Sequence, residues 1–289
     1  MRRNIASSVL AMAWLSTTAV AALQEQGPTV ADRFKALVHE YETITGGRVD
    51  SDEERLKVIA RVFQRRSELG LQLVELAESH PKDPLAIDAL IQAVWQVNTN
   101  PWPVEVAGQD PVAAKALALL ERDHLQSDRL GPLCQRISHG FREEYEKFLR
   151  AAATSAAPAV RGVASFSLAC LLSNRAQRLD TIRVQPKRVE DFEGLFGSDY
   201  IQRLLKQDSE RALAEAEALL EKVAAKEPDA VLPEGGTIGE RAASELFGLR
   251  HLRVGKVAPE IEGEDQDGQR FKLSDYRGKV VLLDFWHQQ

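Results

Sequence analysis

Two thiols and six imidazoles are the side chains of this 289-residue sequence best suited to nucleophilic or metal chemistry. Thiol attack requires the thiolate, and a reactive cysteine needs an exposed, electropositive setting. Cys134 instead shares an apolar stripe with Leu130, Leu133 and Ile137. Cys170 lies one and two helical turns beyond Phe166 and Val163. Both read as small buried hydrophobes, with a structural disulfide between neighbouring helices as the alternative in an oxidising compartment. His39, His80, His124, His139, His251 and His287 show no ligand spacing. No His-Glu-x-x-His helix or Cys-x-x-Cys step occurs, so neither a metal nor a cofactor is expected. Gly46-Gly47 and Gly235-Gly236 read as turns, since neither precedes a Lys-Ser/Thr step. The Asn98–Pro103 loop with Trp102, next to Trp95, is either an exposed aromatic contact or packs back onto the helices.

The stretch around which the rest is organised lies at the C-terminal end. Val280-Val281-Leu282-Leu283-Asp284-Phe285-Trp286 is apolar, β-branched and aromatic with one carboxylate, the pattern of a strand covered on both faces. Upstream, Asp267-Gly268 suits a two-residue hairpin turn, which pairs Asp265 with Arg270 and Glu264 with Phe271. Ser274-Asp275 is placed to cap a short turn before Arg277-Gly278-Lys279 leads into the apolar run.

Gly255, Ala258-Pro259, Asp267-Gly268, Leu273-Ser274-Asp275, Arg277-Gly278-Lys279-Val280-Val281 and Leu283-Asp284-Phe285-Trp286, in this order and spacing, resemble the opening of a thioredoxin-like redoxin. The nearest groups are the alkyl hydroperoxide reductase/thiol-specific antioxidant proteins and the exported thiol–disulfide reductases. The resemblance implies a thioredoxin-like α/β domain and thiol–disulfide exchange or peroxide reduction, with a thiol/disulfide protein as partner. It also implies a structural role for Gly255, Pro259, Asp267, Gly268, Gly278, Phe285 and Trp286. Asp284 matches a buried carboxylate that relays a proton beneath the family's cysteine pair; burial disfavours its charged form and brings proton exchange toward neutral pH. The family continues into Cys-x-x-Cys, whereas this sequence reads His287-Gln288-Gln289. The redox cysteines are therefore missing from these residues, and Asp284 is expected to be vestigial.

The elements before this stretch read differently. Met1-Arg2-Arg3-Asn4, the apolar Ile5–Ala22 and the small-x-small step Ala19-Val20-Ala21 have the layout of a secretory signal peptide over 1–22. The expected location is the periplasm or cell envelope, with membrane attachment only if the segment is uncleaved. The 37 basic against 43 acidic residues exclude the basic face of a nucleic-acid binder.

From Thr29 to about Arg253 the apolar spacing is helical. Ser51-Asp52-Glu53-Glu54 opens a helix that runs to Ser79 and is ended by His80-Pro81, about 43 Å long at 1.5 Å per residue. Asp83-Pro84 and Asp110-Pro111 place proline at helix starts. Further helices are predicted over 128–138, 141–152, 158–179, 198–206, 209–226 and 239–250, with Glu215, Glu217 and Glu221 on a solvated face. The helix-start prolines at 84, 111 and 158 are unevenly spaced, so no regular repeat is supported.

The expected architecture is mainly α: an irregular helical-hairpin domain over 23–253, then over 254–289 the N-terminal β part of an incomplete thioredoxin-like α/β domain. Two functions follow: an exported redoxin-family protein that lacks its redox cysteines, or an envelope helical interaction module with a vestigial redoxin tail.

Overall fold

The computed structural model describes residues 27–44, 51–97, 111–265 and 267–284. The signal segment, the Asn98–Pro103 loop with Trp102, Gly46-Gly47, Phe285, Trp286 and His287 lie outside them. The described chain is mainly α. Its helices are α1 (Val30–Thr43), α2 (Asp52–Ser79), α3 (Ala86–Val97), α4 (Val112–Asp123), α5 (Gly131–Ile137), α6 (Glu143–Ala152), α7 (Pro158–Val184), α8 (Val189–Phe196), α9 (Ser198–Leu205), α10 (Ser209–Lys226) and α11 (Ile238–His251). Among the described residues, no helix is long and apolar enough to cross a membrane.

Capping explains most boundaries. Ser51 accepts from the Glu54 amide at 3.3 Å and starts α2. Asp208 accepts from the Glu210 and Arg211 amides and starts α10. Thr237 and Glu240 form a reciprocal capping box at α11. The 83–84 start is displaced: Asp83 takes the Leu85 amide at 2.8 Å, and regular helix begins at Ala86.

Helix α7 outruns its expected end at 179 by five residues. Asp180–Val184 contains no breaker, and Gln185 precedes Pro186, which disfavours helix at that point. The extra turn is held by Ile182, buried with Leu179, Ile201 and Leu204 in a small second core. Helix α8, which the sequence reading did not resolve, packs on α9 beside it.

Each helix packs on near neighbours in sequence, as stacked hairpins do: α2 on α3, α3 on α4, α4 on α6, α6 on α7 and α10 on α11. Helix α7 lies between α10 and α5–α6 and is buried around most of its circumference: Val160, Val163, Phe166, Leu168, Leu171 and Leu172 point in several directions. Such a helix is a core element, unlike the one-sided helices around it. Glycines permit the closest approaches. A Cβ on Gly162 would overlap the Glu227 carboxylate, which pairs with Arg161 at 3.1 Å.

Salt links tie the layers together. Arg175 of α7 and Arg150 of α6 both donate to Glu146, and Arg150 reaches Glu215 of α10. Glu217 and Glu221 pair with Arg250 of α11. This corrects the solvated-face expectation: Glu221 is exposed but Glu215 and Glu217 are half-buried, and all three bridge neighbouring helices.

The only sheet among the described residues is a hairpin of β1 (Glu262–Glu264) and β2 (Arg270–Lys272). Its register is Glu262 to Lys272, Gly263 to Phe271 and Glu264 to Arg270, one residue off the expected pairing. The cause is the loop length. Asp265 pairs with Gln269 and its carboxylate accepts the Asp267 and Gln269 amides at 2.9 and 2.8 Å. Gly268 supplies the positive φ (75°) that closes a three-residue loop. The ion pairs therefore fall on Glu264–Arg270 and Glu262–Lys272.

Gly70→Ala in α2 is expected to destabilise the protein by about 1–3 kcal/mol through overpacking, because a Cβ there would lie 2.8 Å from Cγ1 of the buried Val112, outweighing the ~1 kcal/mol that alanine gains in a helix. Gly194→Ala in α8, where a Cβ meets no atom within 4 Å, should not destabilise it. Equal urea midpoints for the two variants would refute this packing account.

Burial works to raise the Glu146 carboxyl, but Arg175 and Arg150 outweigh it and hold the group below its ordinary value of 4.5. A carboxyl depressed in the folded state contributes stability above its unfolded pKa and loses it as pH falls through the folded one. Urea midpoints should therefore fall below about pH 4.5, and Glu146→Gln should flatten part of that slope.

Candidate functional site

The segment that carries the family motif begins where the helical body ends. Arg253, largely buried, donates to Asp180 of α7 at 2.8 Å and to Glu210 of α10 at 3.3 Å. This clamp joins the end of α11 to two other helices. Val254 beyond it is fully exposed, and Gly255 turns the chain with φ 88°.

From there the local structure is set by short-range polar contacts. Pro259 is half-buried. Glu260 accepts the Ile261 and Ser274 amides at 3.2 and 2.9 Å and thereby pins both ends of the hairpin. The Ser274 contacts, with the Ile261 amide, hold its carboxyl below the usual range. Gly263 leaves room for the Phe271 ring across the strand pair. The turn expected at Ser274-Asp275 is a 3-10 turn over Leu273–Tyr276, capped by the Asp275 carboxylate on the Lys272 amide at 3.0 Å. Gly278 (φ 85°) then redirects the chain into the apolar run.

The apolar run differs from its expected form. Among the described residues, 280–284 belong to no strand. Relative exposure alternates along the run: Val280 102%, Val281 42%, Leu282 92%, Leu283 47%. Side chains thus point to opposite sides of an extended ribbon, as the period of two requires, but neither side is covered. A strand is defined by its ladder partners, and none of the described segments supplies them. Asp284 is exposed at the end of this ribbon.

The two cysteines lie elsewhere, in the helical core. Cys134 on α5 is fully buried, Cys170 on α7 is partly buried, and both are free. Burial pushes the Cys134 thiol up to about 12. Burial, with the Glu245 carboxylate second, pushes the Cys170 thiol up to about 12. At neutral pH both stay protonated and are poor nucleophiles. The structure brings neither to Asp284 or the hairpin.

Two concavities in the helical body escaped the sequence reading. One, about 220 Å³, lies between α6, α7 and α9 and is lined by Phe141, Glu143, Glu146, Arg175, Tyr200 and Arg203. Its charges pair with one another: Glu146 with Arg175, and Glu143 with Arg203 at 2.5 Å. The other, about 770 Å³, lies where α7, α10 and α11 meet the Arg253 clamp. No local pattern marks either one, because their walls come from residues far apart in sequence. Among the described residues, no group of three or more His, Cys, Asp and Glu side chains is placed to hold a metal ion. His80 caps α2, with Nδ1 3.1 Å from the Leu76 carbonyl, and His139 contacts Asn174 at 3.2 Å.

Both thiols should resist a thiol-specific disulfide reagent in the native protein at pH 8 and react fully in denaturant. Rapid labelling of either thiol before unfolding would contradict the burial described here.

No curated protein and no solved structure matches the chain. The AhpC/TSA family model matches residues 254–289, the stretch from the Arg253 clamp through the hairpin, the 3-10 turn and the ribbon. Residues 254–289 of this mainly helical chain are therefore similar to the AhpC/TSA family, a match that supports a thioredoxin-like redoxin character for this segment.

Proposed function

We propose that this protein is an exported member of the redoxin group whose 289 residues do not themselves turn over thiols, with the helical body as the folded platform that carries the redoxin segment. The observation that carries this reading is a mismatch of place. The family match falls on 254–289, which contains no cysteine, while the two thiols of the chain lie in helices α5 and α7, Cys134 buried and Cys170 partly buried. Thiol–disulfide exchange proceeds by thiolate attack on a disulfide sulfur and departure of the second sulfur as thiolate. Peroxide reduction likewise begins with a thiolate, which is oxidised as the peroxide O–O bond breaks. Neither step has a nucleophile here. Asp284, the proton relay implied by the resemblance, has no thiol within its segment to serve and is vestigial on this reading. Export is supported by the basic start, the apolar Ile5–Ala22 and the Ala19-Val20-Ala21 step. Family resemblance points to a thiol/disulfide protein as partner.

A second reading makes the helical body the working part, an envelope module that binds a protein partner. It is favoured by the distribution of the core: every residue of both buried clusters precedes 254. Two measurements test the first of these readings. The protein recovered from the envelope fraction should begin near Leu23 by mass spectrometry, and it should reduce neither insulin nor peroxide with dithiothreitol above the Cys134→Ser/Cys170→Ser control. Turnover above that control would defeat the inert reading. A retained Met1 in a cytoplasmic fraction would defeat export.

A further inference from the structure

Two sets of contacts meet at Arg253 and do not cross it. On the body side its guanidinium, largely buried, takes the Asp180 carboxylate of α7 and the Glu210 carboxylate of α10, at 2.8 and 3.3 Å. Leu249, one turn earlier, is the last residue of α11 in the main core. On the far side, among the described residues, every hydrogen bond and ion pair of residues 257–284 has its partner within 257–284. No described apolar side chain beyond Leu249 belongs to either buried cluster or packs against one. Across the boundary the Lys256 amide donates to the Arg253 carbonyl, which closes the turn at Val254-Gly255.

Local bonds make the far side one piece. Glu260 holds the Ile261 and Ser274 amides together, and the Leu273 amide donates to the Ile261 carbonyl at 2.9 Å. Glu262–Lys272 and Glu264–Arg270 pair across the strands. The linker between the two pieces has no such support. Val254 and Val257 are 98% and 89% exposed, and a Cβ on Gly255 would meet no atom within 4 Å. Hinges are a few loop or element-terminal residues that absorb changes in φ and ψ, and a piece without a sizeable interface moves relative to its neighbour by default.

We propose that residues 257–284 turn as one unit relative to the helical body, about a hinge at Val254–Lys256 whose fixed side is Arg253. The clamp gives the hinge a defined position: while Arg253 spans Asp180 and Glu210, the end of α11 cannot unwind into the linker. The Val280–Leu283 ribbon is thus presented in many orientations by a body that stays fixed. The proposal does not depend on the redox reading, because it uses no thiol and no proton transfer.

Amide NMR relaxation on the full-length protein tests it. Amides of 260–279 should share one effective correlation time, shorter than that of α7 and α10 by roughly twofold or more, while keeping the order of a folded unit among themselves. Arg253→Gln should release the fixed side, so that amides of 250–252 gain fast motion while the cross-strand contacts of Glu264 and Arg270 persist. Asp180→Asn, which removes one of the two partners, should do the same more weakly. A single correlation time for the whole chain overturns the proposal, because the segment would then be docked on the body. Motion that grows residue by residue from 255 onward also overturns it, since no unit would then exist. An α11 end as rigid in both variants as in the unaltered chain overturns Arg253 as the fixed side.

Discussion

The burial of α7 on most of its circumference is the constraint on which the rest of the structure depends. A helix of 27 residues, about 40 Å long, cannot cover its own apolar surface. Helices α5, α6, α10 and α11 each contribute one apolar face to it, and their opposite faces meet solvent or the next layer. Small residues set the spacing. Gly162, Ala164, Ser167 and Ala169 let neighbouring elements approach the α7 backbone, while Phe166, Leu168, Leu171 and Leu172 fill the gaps between them.

Charge then orders what burial brings together. Arg150, Arg175, Arg250 and Arg253 each join α10 or α7 to another element. Exposed pairs of this kind contribute little to stability one at a time, roughly 0–1 kcal/mol. Their value here is in register: a bidentate guanidinium contact fixes how far one helix has slid along another. Arg253 has the further effect of ending the helical body at a defined residue, immediately before the redoxin segment.

That segment obeys a different requirement. Its hairpin and 3-10 turn are held by contacts within about fifteen residues, namely Glu260, Asp265 and Asp275 on backbone amides, so they form without a core. The ribbon that follows has no such local substitute. Extended backbone satisfies its N–H and C=O groups only through neighbouring strands, and apolar side chains on both faces need a layer on each side. The result is a segment with redoxin-like local geometry and an exposed apolar end. Asp284 at its end is exposed, and the two thiols of the chain lie in the helical body, Cys134 buried and Cys170 partly buried.

Local signals were legible in the sequence wherever a side chain acts on its own neighbourhood. Ser51 and Pro158 marked helix starts, and His80-Pro81 marked the end of α2, because caps and breakers work within one turn. The redoxin motif was legible for the same reason, being a run of turn glycines and capping carboxylates. The hairpin register was missed by one residue because Asp265 closes a three-residue loop, an energetic choice between two short turns that composition does not settle. The last turn of α7 and the whole of α8 were not legible, since Ile182, Ile201 and Leu204 stabilise one another only after the chain has folded. The bridging role of Glu215, Glu217 and Glu221, the two concavities and the open state of the Val280–Leu283 ribbon belong to the same class. By itself the sequence determined most of the helical segments, where the redoxin-like segment lies and that it carries no thiol, since these rest on neighbours in the chain. Only the tertiary structure decided what each face touches, because burial and ion pairing depend on residues the chain brings together from far apart.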